Sequence, residues 1–450
     1  MKFDIHHAGL LLHPTSLPSG TLADAERWLD FLQAAGFGVW QMLPLGLPLV
    51  GLSPYQCASA FAVNPILFPY ARADMRSFAD WRARQHHWLE DYARFMVIKG
   101  EHGGMSWTDW PQDLRDRDPH TLAAFDASHA EALNAVMVEQ YCAAVHWQGI
   151  RAAAAERGIK LFGDMPIFVA HDSADVWAQR DLFLLDASGH PTVVAGVPPD
   201  YFSETGQRWG NPHYNWTRMQ TDGFAWWRAR LRAHFDWFDL LRIDHFRGLA
   251  AAWTIPAAEP TAIHGVWVEV PGAALLQAIA DEMGDLPLVA EDLGVITPDV
   301  TALRHQFGLP GMGVLQFAFD DHADNPHKPE NVHPDTVYYT GTHDNDTTLG
   351  WWRTLPEQAR QQVMRQLGVS DPDTVPDAMI DTVLGSPAAL AILPMQDVLR
   401  LGSEARMNTP GTDEGNWTWR FEWDDLSSDL ASRLLEKLEK AHRCEIQAYP

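Results

Sequence analysis

Leu241-Arg-Ile-Asp-His-Phe-Arg-Gly248 passes from an apolar run into dense charge within a few residues. It follows a helix-like segment rich in Trp, Arg and Ala over Phe224–Trp237, and Phe238–Ile243 reads as a short buried strand. Side chains alternate across a strand, so Arg242 and Asp244 point the same way. A guanidinium beside a carboxylate favours its ionised form. A fixed carboxylate at the C-terminal end of a strand is what a covalent nucleophile requires. A structural Arg–Asp ion pair capping the strand fits these residues equally well when they are read alone.

Working outward, the same pattern recurs. Gly9–His13 is a short apolar run. Ala25, Trp28, Leu29 and Leu32 then follow at helical spacing, ended by Gly36, and Val39–Leu43 completes a βαβ unit. Further strands are expected at Ile159–Asp164, Leu288–Ala290, Val314–Phe319, Val337–Gly341 and Leu390–Pro394. Strand–helix alternation with carboxylates at strand ends predicts an α/β fold, a parallel (β/α)8 TIM barrel. Residues 1–450 are expected to form a single catalytic domain, a length that such a barrel absorbs with insertions. Leu67–Phe125, dense in Trp, Arg and His, reads as a mainly helical inserted subdomain. Val138, Tyr141, Cys142 and Val145 mark a helix that ends near Gly158. Residues 196–216 mix Gly and Pro turns with aromatics and carboxylates and show no strand or helix period. Long loops of that kind cover ligands, so a lid is expected there, contributing Asp200, Phe202 and Trp209.

Composition narrows the partners. Hydrophobic residues make up 46% of the chain, which supports a large core. A formal charge of −26 disfavours nucleic acid and anionic membranes, although acidity also serves solubility. Cys57, Cys142 and Cys444 are far apart, with neither a disulfide framework nor a zinc spacing, and fit a reducing cytoplasm. Met1–His7 does not read as a signal peptide, and no run is long enough to span a membrane. Twenty Trp is a high count, and aromatic faces suit the C–H faces of sugars, though core packing accounts for most Trp in most proteins.

Asp244, Glu291 and Asp344 each end a strand, and in a parallel barrel they converge on one mouth. Asp164, after Ile159, is expected to face the same mouth, and Tyr55 lies in the long loop following the second strand. Two carboxylates suffice for glycoside chemistry. Asp244 would attack the anomeric carbon. Glu291, its pKa raised by partial burial, would protonate the leaving oxygen and then deprotonate the incoming hydroxyl. Asp344, beside His343, would grip sugar hydroxyls and stabilise the transition state. The histidines lack metal-ligand spacing, and neither a Gly-x-Ser-x-Gly elbow, a Walker motif nor a dinucleotide Gly pattern occurs.

Arg242-Ile-Asp-His-Phe-Arg-Gly248, Ala290-Glu-Asp-Leu-Gly294 and Gly341-Thr-His-Asp-Asn-Asp346 resemble the catalytic motifs of the 4-α-glucanotransferases (amylomaltases), within the α-amylase-like clan. His13–Pro18, Ser53–Gln56, Gly163–Ile167, His171–Trp177, Pro198–Trp216 and Arg406–Thr412 match as well, so the resemblance runs from about Gly9 to Arg420. It implies a barrel with inserted helical subdomains and a retaining double displacement, with Asp244 as nucleophile, Glu291 as acid/base and Asp344 as transition-state stabiliser. Arg242 and His343 would bind sugar at the cleavage point. Tyr55, Asp164, Asp200, Phe202, Trp209 and Asn408 would line the glucan path. The partners implied are α-1,4-glucan donors and acceptors, including glucose; no cofactor or metal is implied. A retaining α-glucan hydrolase of the same clan is the alternative, and a non-catalytic glucan-binding protein a more distant one. The chain departs from the family pattern after Gly20, where a Tyr/Gly/Ile/Gly/Asp segment is missing. It also departs at Cys57 and Val63, where Ser and Gly are usual. These departures bear on acceptor preference.

Overall fold

Short strands made almost entirely of apolar residues must be covered on both faces, by helices outside and by side chains within. The computed structural model describes residues 6–49, 51–69, 72–199, 203–412 and 414–444 and shows eight such strands. They are β1 (His7–Leu11), β2 (Val39–Gln41), β3 (Lys160–Pro166) and β4 (Leu240–Asp244). Next come β5 (Leu288–Ala290), β6 (Gly311–Val314), β7 (Thr336–Tyr339) and β8 (Leu390–Pro394). The order is β6-β7-β8-β1-β2-β3-β4-β5, with every paired neighbour parallel. The Ala290 N–H donates to the Pro310 carbonyl at 2.8 Å, bridging the two ends of the order into a nearly closed (β/α)8 barrel.

The barrel interior changes character along its length. Val39, Phe162, Leu240, Val289 and Val337 belong to one buried apolar cluster. Two residues further along, the alternation puts Gln41, Asp164, Arg242 and Glu291 on the same side. The lumen is therefore oily at the base and charged at the C-terminal mouth. Outside, the helix Ala25–Ala34 buries Ala25, Trp28, Leu29 and Leu32, as its spacing predicted, and Gly36 follows it at φ +81°. At Gly163 a Cβ would lie 2.2 Å from the Phe238 ring, so the approach of that ring to β3 requires glycine.

Three segments differ from the sequence reading. The helix expected through Val138–Val145 and ending near Gly158 ends there, at Glu156, but begins earlier, at Ala130, and runs for 27 residues. It buries Leu133, Met137, Tyr141 and Trp147 and leaves Val145 exposed. It packs against Ala25–Ala34 on one side and Phe78–Arg84 and Leu89–Glu101 on the other, so its apolar face is not a single stripe. Those two helices, with Gln112–Arg115 and Pro119–Ser128, fill the chain between residues 67 and 128. Second, residues 196–216 are not free of strand. Gln207–Pro212 pairs antiparallel with Val193–Val197, which pairs with Ala251–Pro256, which pairs with Val266–Glu269. A register shift between Val194 and Gly196 and a positive φ at Gly210 break the alternation that would have revealed this sheet. Third, the strand expected at Val314–Phe319 lies at Gly311–Val314 and turns into a 3₁₀ helix at Leu315. Among the described residues, no helix is long and apolar enough to cross a membrane.

Candidate active site

At the mouth β3 and β4 lie in register, Asp164 opposite Arg242 and Pro166 opposite Asp244. One guanidinium joins two carboxylates. Arg242 Nε donates to Asp164 Oδ1 at 3.0 Å, and Nη2 lies 2.9 Å from Asp164 Oδ2 and 2.7 Å from Asp244 Oδ1. The Asp164 side chain is fully buried, whereas that of Asp244 is 31% exposed. Asp164 thus sits under the mouth as a partner of Arg242 rather than on the open path where the sequence reading put it. Burial pushes the Asp244 carboxyl well above its ordinary range; Arg242 pulls the other way, and Asp164, Glu291 and Asp344 add to the rise.

Tyr55 closes this layer. Its hydroxyl donates to Asp164 Oδ2 at 2.7 Å, receives Arg242 Nη2 at 3.3 Å and lies 2.9 Å from His343 Nε2. A hydroxyl has one proton, and here it goes to the carboxylate, so the contact with His343 assigns the proton to Nε2 of that ring. His343 Nε2 also lies 3.4 Å from Asp344 Oδ1. Burial lowers the His343 pKa, with Asp344 opposing. The Tyr55 ring stacks on His343 with centroids 5.3 Å apart, and Trp417 stands 6.0 Å from both rings.

Asp344 is held from the opposite side. Asn408 Nδ2 donates to its Oδ1, and Arg406 Nη2 donates to its main-chain carbonyl, each at 2.6 Å. The Asn408 N–H donates to the His343 carbonyl at 3.1 Å. Asn408, read from the resemblance alone, is thus brought directly to the carboxylate.

Glu291 leaves β5 with both carboxylate oxygens occupied. Oε2 accepts the His245 N–H at 2.6 Å and Oε1 the Leu293 N–H at 2.9 Å. Burial raises its pKa, opposed first by Arg242 and then by these two N–H groups. His245 adopts φ +55°, ψ +49°, a left-handed conformation. Trp209, from Gln207–Pro212, meets the ring of His245 edge-on at 4.8 Å.

The structure therefore brings Tyr55, Asp164, Trp209, Arg242, Asp244, Glu291, His343, Asp344 and Asn408 to one mouth. Asp200 and Phe202 lie outside the described residues. Val63 is a core residue whose N–H donates to Gln140 Oε1, and Cys57 Sγ donates to the Pro54 carbonyl below the Tyr55 loop. Arg406, Trp417 and the His245 main chain were not singled out from the sequence. Arg406 could have been found from its place in the Asn408 motif, whereas a main-chain N–H leaves no residue signature. Among the described residues, no group of His, Cys, Asp or Glu is arranged to hold a metal ion.

A family model described as 4-alpha-glucanotransferase matches residues 11–73 and 68–426. The 4-alpha-glucanotransferase of Thermus thermophilus is 47% identical over 97% of this chain and 98% of its own length. That of Synechocystis sp. is 44% identical over 95% and 96%. Among solved structures, an amylomaltase from Streptococcus agalactiae in complex with acarbose superposes with a TM-score of 0.93 at 31% identity. That match covers 98% of this chain and 100% of that one.

Proposed function

The chain belongs to the 4-alpha-glucanotransferase family, and from that premise we propose how its own residues carry out the transfer. The reaction moves a segment of an α-1,4-glucan onto the 4-hydroxyl of an acceptor glucan or glucose. The observation that carries the assignment is the Arg242 bridge, which fixes the Asp244 carboxylate at 2.7 Å while a third of that side chain stays open to the mouth.

In the first half-reaction an Asp244 oxygen bonds to the anomeric carbon as the bond to the leaving glucan oxygen breaks. Glu291, protonated, gives its proton to that oxygen. The products are a glycosyl–Asp244 ester, a shortened glucan and the Glu291 carboxylate. In the second, the carboxylate takes the proton of an acceptor 4-hydroxyl. That oxygen bonds to the anomeric carbon, and Asp244 leaves as carboxylate. Arg242, 2.7 Å from Asp244 Oδ1, favours the charged form of that carboxylate, while burial raises the proton affinity of Glu291 and suits it to carry the proton. Asp344, oriented by Asn408 and Arg406, faces the positive charge that develops on the ring. Trp209 and its strand restrict water at the acceptor side, which favours transfer over hydrolysis. The three thiols are free, as the cytoplasm would keep them.

Maltotriose alone is the test. A ladder of longer maltooligosaccharides alongside glucose is expected. Glucose and maltose without longer species would make the protein a hydrolase and overturn the transfer reading. Asp244→Ala and Glu291→Gln are each expected to abolish the ladder, and near-normal activity in either would refute its role.

A further inference from the structure

The four-stranded sheet beside the barrel ends in Val266–Glu269, all four residues of which are exposed. As the end strand it presents a row of backbone N–H and C=O groups with no sheet neighbour among the described residues. Such edges are usually guarded by charge or proline. Here a charge stands only at the end of the strand, Glu269, while Val266 is 61% exposed, Val268 46% and Trp267 39%.

Trp267 is held in a defined pose. The Arg247 guanidinium lies 3.8 Å from the centroid of its ring, and Trp253 meets it edge-on at 5.2 Å. Arg247 is buried to more than nine-tenths. Its Nη1 donates to the Val295 carbonyl, and its Nε, buried, has no partner among the described residues. Desolvating a cation beneath one face of an exposed indole is a costly way to support a ring with no ligand. The supports are also tied to the mouth. The Phe246 N–H, next to Arg247, donates to the Glu291 carbonyl at 3.0 Å, and Val295 lies on the loop that leaves Glu291. At the opposite edge of the sheet Trp209 overhangs His245. One sheet therefore runs from the cleft to the Trp267 ring.

A flat indole beside uncharged hydrogen-bonding edge groups fits a chain with apolar C–H faces and many hydroxyls. The net charge of −26 disfavours polyanions. We propose that Trp267 and the edge strand Val266–Glu269 form a remote platform that holds the far part of a long α-1,4-glucan reacting in the cleft. The proposal rests on the glucan reading of the cleft. Binding at a distance lets long chains contribute energy that short ones cannot reach.

The test compares maltotriose with long-chain amylose in wild type, Trp267→Ala and Trp267→Phe. In Trp267→Ala the KM for amylose is expected to rise about fivefold, as loss of one aromatic contact predicts, with maltotriose kinetics within twofold of wild type. Trp267→Phe, which keeps an aromatic face, should restore most of the amylose KM. An unchanged amylose KM in Trp267→Ala would overturn the platform. So would a parallel loss on both substrates, which would make Trp267 a prop for the Glu291 loop. Should Trp267→Ala fail to fold, Trp267→Leu, which keeps apolar bulk without an aromatic face, decides by the same two readouts. A wild-type protein that leaves maltotriose unchanged would instead overturn the glucan reading of the cleft.

Discussion

Tyr55→Phe isolates one hydroxyl at the centre of the site. The ring contacts with His343 at 5.3 Å and Trp417 at 6.0 Å survive, so any aromatic surface offered to sugar is retained. What disappears is the donor to Asp164 Oδ2 and the acceptor for His343 Nε2. Asp164 keeps Arg242, while the His343 ring is left with Asp344 Oδ1 at 3.4 Å. A hydrogen bond to a charged group contributes about 1.5–3 kcal/mol, so a stability loss of about 2 kcal/mol is expected. The larger effect falls on catalysis. With the hydroxyl gone, the His343 tautomer is no longer fixed and the Arg242 fork loses one of its rests. If half to all of that energy is felt in the transition state, kcat falls about 5- to 30-fold, at about 1.4 kcal/mol per tenfold. KM should change little, because the ring is kept. The assay is initial glucose release from saturating maltotriose, with KM determined in parallel. A kcat within twofold of wild type would refute the positioning argument. A raised KM with unchanged kcat would assign the hydroxyl to sugar binding instead.

Trp209→Ala removes the aromatic over His245, and the ratio of free reducing ends to transfer product from maltotriose should rise several-fold; unchanged partitioning would discard the role of the lid strand. Asn408→Ala removes the 2.6 Å donor to Asp344 and should lower kcat about 10-fold with the fold intact by circular dichroism; full activity would mean that Asp344 needs no such support. His13 is buried, its Nδ1 has no partner among the described residues, and burial lowers its pKa to about 3. A folded-state pKa below the unfolded value means that the neutral ring's stability is fully present above about pH 6.5 and is lost as pH falls towards 3. By pH 5 that loss is about 2 kcal/mol, so His13→Gln should flatten the decline in melting temperature between pH 7 and pH 5. A wild-type-to-variant difference independent of pH over that range would contradict it.

Strands and carboxylates were legible because the barrel imposes a simple rule on its residues. Apolar runs such as Leu288–Ala290 and Leu390–Pro394 have no polar face, and a charge at the end of such a run marks the mouth. The residues around the acids were legible unevenly. Asp164 was placed correctly at the mouth end of β3, but its burial could not be read from one strand, because it depends on Arg242 of the neighbouring strand and Tyr55 of a distant loop. The side sheet was hidden for a different reason. Its strands mix Gly196, Gly210 and Trp residues whose faces are set by partners far along the chain, so no local period survives. The hold on Glu291 by the His245 and Leu293 N–H groups was invisible in principle, since every non-proline residue carries that donor.

The layer of Tyr55, Asp164, Arg242 and His343 argues for its own purpose. An apolar layer of similar volume is often as stable as a buried ion pair or more so, and the clusters below show that the lumen accepts one. Stability alone therefore does not account for a fully buried Asp164 and an Arg242 side chain only 5% exposed. What the layer supplies is orientation. Asp164 fixes one part of the guanidinium, so the rest can meet Asp244 at a single angle, and Tyr55, by accepting from Nε2, fixes the tautomer of His343. The layer ties Asp164 and Arg242, which water hardly reaches, to the partly exposed Asp244. The same burial that makes the layer expensive removes its freedom to rearrange, and a carboxylate that must attack one carbon atom benefits from that rigidity more than from any single bond.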